Sequence, residues 1–123
     1  MSCSVTTRER DNVAIVELGG KFTLADANGV IWRAVSGLLA ADHRHILLEL
    51  SKVTYLDSAA GIGELVRSYT TAMRQGAQIK LLHVPKNVDH VLTIVGLHNV
   101  FEMFNDEAAA IRSFETSIAA IIP

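Results

Sequence analysis

The sequence predicts an α/β domain: a mixed sheet of four to five strands, an amino-terminal hairpin followed by parallel strands, with about four helices. Three observations carry this. Two β-prone runs at the start are separated only by a short charged turn, as in a hairpin. Beyond residue 20, β-prone runs alternate with segments of helical apolar periodicity, which argues for parallel strands joined by helical crossovers. Two of the later runs are almost continuously apolar, the pattern of strands covered on both faces.

The elements follow in order. Ser4 to Glu9 and Val13 to Leu18 form the hairpin about Asp11 and Asn12, and Gly19-Gly20 break the pattern. Thr23 can cap a helix, with Asp26 three residues on as a capping-box-like partner. Leu24, Ala27, Ile31, Ala34, Val35 and Leu38 recur at helical spacing behind it, and Asp42 and His43 close the segment. His45 to Leu50 is a central strand. Ile62, Leu65, Val66, Tyr69, Ala72 and Met73 form a helical stripe, with Glu64, Arg67, Ser68, Thr71 and Gln75 facing outward and Gly76 as the stop. Gln78 to Val84 is a buried strand ended by Pro85. Val88, Val91, Leu92 and Val95 mark a third helix stopped by Gly96, and Val100 to Phe104 a last strand. Asn105 or Asp106 can cap a final helix that buries Ala110, Ile111, Phe114 and Ile118.

At 123 residues the chain makes one domain, 1–123. Half of it is hydrophobic and a fifth charged, enough for a core. A formal charge of −2, with scattered Lys and Arg, gives no footprint for nucleic acid or an anionic membrane. Cys3, the only cysteine, excludes an internal disulfide and fits a reducing compartment. No apolar run approaches the roughly 20 residues of a membrane span, and MSCSVTTRERDN carries no apolar h-region. These observations point to a cytoplasmic protein.

Function collects in loops at the carboxyl ends of strands in such sheets. The corner YLDSAAGIG, Tyr55 to Gly63, occupies that place, between the central strand and the cleanest helix. Two readings stand. Asp57 or Ser58 is an N-cap and the small residues fill a tight turn. Alternatively, small neighbours leave Ser58 open to phosphorylation, which adds about −1.5 to −2 charges at a helix end that favours negative charge. The corner is not a P-loop, because no Lys-Ser/Thr follows Gly61-Ile62-Gly63, and not a nucleophile elbow, because G-x-S-x-G is absent. His43, His45, His83, His90 and His98 are scattered without a motif and read as surface or strand-end residues. His43 and His45 share one side of a strand entry but have no further ligand at metal spacing. Trp32, Phe101, Phe104 and Tyr55 read as packing, and Glu49 and Asp57 as unrelated. No catalytic set, metal site or cofactor is expected.

The stretch LELSKVTYLDSAAGIGELVRSY resembles the central motif of STAS domains, in particular the small bacterial anti-sigma factor antagonists. GAQIKLLHVPKNVDHVLTIVGLHNVFEMF is similar to the family's next strand, its P-x-V helix start and its GL…VF segment, and VAIVELGGKFT to its opening strand. The resemblance implies partner switching. Unphosphorylated, such a domain binds an anti-sigma factor that is also a serine kinase; phosphorylation of the serine after the aspartate releases it, and a phosphatase resets it. Carried over, Ser58 is the phosphoacceptor and Asp57 its acidic neighbour. Asp57, Ser58, Ala59, Ala60, Gly61, Ile62 and Gly63 form the partner-binding corner, with Gly61 and Gly63 keeping the entrance open. The domain is a substrate and binding module rather than an enzyme, and a monomer or a weak homodimer; its apolar end SIAAIIP can pack within the chain or in a dimer.

The family pattern has one residue between Asp-Ser and the first glycine; here there are two, Ala59 and Ala60. Counting forward from the strand keeps Asp57-Ser58 in place and puts the extra alanine in the loop. Counting back from the glycines puts Ala59 at the serine position. The first register is preferred, because loops absorb an added residue more easily than strands. A STAS binding or scaffold module without phosphorylation is one alternative. Another is an aspartyl-phosphate receiver using Asp57, for which VELGGKF lacks the acidic pair that a Mg²⁺ site needs.

Overall fold

The computed structural model describes the backbone of residues 3–121 and the side chains of residues 3–115. One five-stranded sheet has the order β1-β2-β3-β4-β5, with β1 (Cys3–Arg10) antiparallel to β2 (Val13–Phe22) and every later pair parallel. The remaining strands are β3 (His45–Leu56), β4 (Gln78–Leu82) and β5 (Met103–Phe104). The hairpin turn places Asp11 and Asn12 at positive φ, a region these two residue types tolerate best after glycine.

Alternation sorts the side chains onto two faces. Val16, Leu18, Ile46, Leu48, Leu50, Ile79 and Leu81 point to one face, where α1 (Leu24–Ala27), α2 (Val30–Ala40), α3 (Glu64–Arg74) and α4 (Lys86–Ile94) lay their apolar stripes. Val13, Ile15, Leu47 and Leu82 point to the other, covered by Ala110, Ile111 and Phe114 of α5 (Glu107–Ile121). The expected contribution of Ile118 and the dimer reading of SIAAIIP fall on side chains outside those described.

Several elements differ from expectation. Gly19 and Gly20 do not end β2. The strand passes through them by shifts in register against β3 and continues to Phe22. A Cβ at Gly19 would lie 2.9 Å from Ser4 Oγ and 3.3 Å from Lys52 Cβ, so a side chain there would crowd the neighbours on both flanking strands. β3 accordingly runs six residues past Leu50, with Val53 and Leu56 inward and Ser51, Lys52, Thr54 and Tyr55 outward. The single helix expected after Thr23 is broken at Asn28-Gly29, where Gly29 takes φ 79°. Leu24 is therefore exposed rather than part of a continuous stripe. Glu64 and Ser68, expected to face outward, are buried, because α3 is flanked by α2 as well as lying on the sheet. Met73 and Val95, placed in stripes, are exposed, and the last strand shrinks to Met103–Phe104.

Candidate partner-binding site

β3 ends at Leu56, opposite Phe22, and the Asp57 N–H donates to the Phe22 carbonyl at 3.0 Å. The chain then turns at once into a π-helical turn, Ser58–Gly63, that runs without a break into α3. Its signature is the Ile62 N–H donating to the Asp57 carbonyl at 2.9 Å, a span of five residues. A π turn holds one residue more than an α turn over the same distance. The wide turn accommodates Ala59 and Ala60 between Ser58 and Gly61, with Asp57 at the strand end.

Asp57 caps this turn. Its Oδ1 accepts the N–H groups of Ala60 at 2.6 Å and Gly61 at 3.2 Å, two of the donors a helix start leaves unpaired. Its Oδ2 accepts the Leu24 N–H at 2.7 Å, so one carboxylate joins the loop after β3 to the start of α1. With both oxygens engaged by three amides, Asp57 is not poised as a receiver's phosphoacceptor.

Seven residues were expected to face a partner, and the structure separates them. Ser58, Ala59 and Gly63 are exposed and Asp57 is half-buried. Ala60, Gly61 and Ile62 are buried and shape the corner from below. Gly61 in particular does not keep an entrance open: a Cβ there would sit 2.8 Å from Leu56 Cβ, so it lets the turn settle on the strand end. Ser58 Oγ makes no hydrogen bond among the described residues. On the neighbouring loop and strand end, Leu24 is 56 % and Tyr55 49 % exposed, which adds apolar area to this end of the sheet.

Seven residues after Asp57, Glu64 performs a second capping task. Its Oε2 accepts the Gly29 N–H at 2.6 Å and its Oε1 the Trp32 N–H at 3.1 Å. Gly29 has no side chain with which to cap α2, and Glu64 supplies the missing acceptor from α3. Arg67 lies over the Trp32 ring at 3.9 Å. The signal in the sequence was a lone Glu at the amino end of a helix, which reads equally well as a dipole partner.

The far face of the sheet carries a polar network that no local pattern announces. Glu49 accepts hydrogen bonds from the amide and hydroxyl of Ser51 and pairs with His83 Nδ1, while His83 Nε2 lies 3.0 Å from the Asn105 carbonyl. Burial alone would raise the Glu49 carboxyl; the bonds from Ser51 and His83 outweigh it and hold the carboxyl below its ordinary value. Glu107 bridges Arg8 and Arg10, which hold its carboxyl at about 2. Arg8, Glu49, Ser51, His83 and Glu107 border a cavity of about 290 Å³ to which Lys52 and Glu17 also contribute. Burial against Phe114, with Lys80 nearby, lowers His45. Among the described residues no group of three or more His, Cys, Asp or Glu could hold a metal ion, and no helix is long and apolar enough to cross a membrane.

Residues 4–110 match the STAS domain family. The chain belongs to that family. A curated relative, the anti-sigma F factor antagonist of Paenibacillus polymyxa, is 22 % identical over 115 residues, 94 % of this chain and 97 % of the relative. Among solved structures, an anti-sigma factor antagonist from Mycobacterium paratuberculosis superposes with a TM-score of 0.79 at 17 % identity, over 91 % of this chain and 93 % of that one. SpoIIAA, a Bacillus cell fate determinant in its phosphorylated form, superposes with a TM-score of 0.69 at 15 % identity, over 90 % and 99 %. At such identities the structural likeness establishes the STAS fold. The mixed five-stranded sheet with its helices is that fold, as the resemblance implied.

Proposed function

We propose that this STAS domain is an anti-sigma factor antagonist whose docking on its anti-sigma factor is controlled by phosphorylation of Ser58, in the cytoplasm of a bacterial cell. One observation carries the reading. Ser58 is exposed at the first position of a helical turn, directly after the capping Asp57, and its Oγ makes no hydrogen bond among the described residues. The exposed residues beside it, Ala59 and Gly63, are small, and Leu24 and Tyr55 extend the surface with apolar area. Docking would bury this small-sided corner, whose one carboxylate, Asp57, is already engaged by three backbone amides. A kinase moves the γ-phosphoryl group of ATP to Ser58 Oγ: the bond to the β-phosphate breaks, ADP leaves, and the hydroxyl proton passes to a base of the kinase. The surface then carries about −2 charges that must be desolvated for docking. A phosphatase returns the alcohol. The relatives named as antagonists, SpoIIAA among them and solved also in a phosphorylated form, support this assignment.

The test is binding of the full chain to the anti-sigma factor kinases of its own cell, by calorimetry, with mass spectrometry after incubation with ATP. Phosphate is expected on Ser58. Ser58→Ala should bind within about twofold of wild type, and Ser58→Asp at least about tenfold more weakly, roughly 1.4 kcal/mol. Equal affinities for the two variants would overturn the proposal.

A further inference from the structure

We propose that α1 is a strap whose attachment reports the charge on residue 58, with Asp57 as the positioning residue that couples the two. The inference rests on the reading of Ser58 as the place where the switch acts and adds what else moves when it does.

The strap is lightly held. α1 is four residues long, between the Thr23 cap, whose Oγ1 accepts the Asp26 N–H at 3.2 Å, and the left-handed Gly29. Leu24, Ala25, Asp26 and Asn28 are exposed, and only Ala27 of the helix is buried. Two carboxylates fasten it through backbone amides, Asp57 at Leu24 and Glu64 at Gly29. A segment with so little buried apolar surface opens at low free energy, so each bond is a large share of what keeps it closed.

Asp57 is the bond that a change at residue 58 reaches. Its Oδ1 holds the amides of Ala60 and Gly61 while its Oδ2 holds that of Leu24. An anionic side chain at residue 58 can accept from amides two and three residues on, and those are the same Ala60 and Gly61 amides. An anion there competes with Oδ1 for its donors and repels the carboxylate beside it. Asp57 then loses the bonds that orient it, and the Leu24 amide is released. The Glu64 bond at Gly29 stays, so the strap swings from its far end at Asn28-Gly29.

Residue-resolved amide hydrogen exchange by NMR on the full chain tests this. Ser58→Asp is expected to speed exchange at Leu24 about fivefold relative to Ser58→Ala, with Ile46 to Leu50 unchanged. Asp57→Asn is expected to speed Leu24 exchange alone and to abolish the response to Ser58→Asp. Equal exchange at Leu24 in Ser58→Asp and Ser58→Ala overturns the proposal, as does a response that survives Asp57→Asn. If Asp57→Asn does not fold, the first comparison decides. The two readings fail separately. Weak partner binding by Ser58→Asp with no change at Leu24 removes the strap and leaves the switch. A response at Leu24 without any difference in partner binding removes the switch and leaves the strap.

Discussion

The amide of Ile62 reaches the carbonyl of Asp57, five residues back, at 2.9 Å. That bond makes the first turn after β3 wide enough for both Ala59 and Ala60 without moving Asp57 from the strand end or Ile62 from the core. A strand has no such slack, because a shift of one residue sends every following side chain to the opposite face.

Deletion of Ala59 should therefore be tolerated. The turn can close as an ordinary α-helical turn, with a stability change within about 1 kcal/mol. Deletion of Thr54 should cost more than about 3 kcal/mol, since it exchanges buried and exposed positions at the end of β3. Urea denaturation of the two deletion proteins makes the comparison, and similar losses in both would show that the π turn is not where the extra residue is stored.

Two glycines in helical turns should respond to alanine with opposite sign. Gly61→Ala drives a methyl group into Leu56 at 2.8 Å from its Cβ, and overpacking of this kind costs about 1–3 kcal/mol. Gly37 sits on the exposed side of α2 with no atom of the described residues within 4 Å of a new Cβ. There Gly37→Ala should stabilise by about 0.5–1 kcal/mol, through helix propensity and the lost freedom of the unfolded chain. Thermal or urea unfolding of the two variants reads both signs.

Much of this fold was legible because its signals are local. The hairpin turn at Asp11-Asn12, the caps Thr23 and Asp106, the left-handed stops Gly76 and Gly96 and the buried run Ile46 to Leu50 each depend on neighbours along the chain. The cap by Asp57 is legible for the same reason. What escaped depends on packing between distant segments. From the sequence β3 reads as six residues because its apolar run stops at Leu50; beyond it only Val53 and Leu56 are buried, with two exposed residues before each, where the register against β2 shifts. Glu64 was read as solvated because nothing nearby says that α2 will lie alongside α3 with an uncapped Gly29. Glu49 and His83 meet across 34 residues, through strand register alone.

The Glu64 bonds make a distinct prediction about α2. Glu64→Ala leaves the Gly29 and Trp32 amides without acceptors in a partly buried place, and a loss of about 2 kcal/mol is expected. Glu64→Gln keeps one acceptor oxygen and should lose about half as much. The same bonds hold Trp32 against Arg67, so the single tryptophan reports on them. Its emission should change in Glu64→Ala but not in Glu107→Gln, whose lesion lies near the hairpin, and unfolding followed by fluorescence measures both effects. Full stability with unaltered emission in Glu64→Ala would show that the cap is dispensable.

Glu107 sets an acid limit whose direction follows from its partners. Arg8 and Arg10 hydrogen-bond its carboxylate and bring its folded value from 4.5 to about 2. A carboxyl lowered by folding stabilises the protein at every pH above its unfolded value, and that contribution fades as pH falls from about 4.5 through about 2. Both guanidinium groups are over 40 % exposed, so water screens the pair and about 1 kcal/mol is the appropriate magnitude. Its place in the first turn of α5 adds a favourable dipole term of the same sign. Wild type should therefore exceed Glu107→Gln by about 1 kcal/mol at pH 7, and the two should converge near pH 2. The lowered carboxyl of Glu49 weakens both proteins alike in acid and drops out of the difference. Urea denaturation of each at a series of pH values measures it. A gap that stays constant down to pH 2 would assign the effect of Glu107 to packing rather than to its charge.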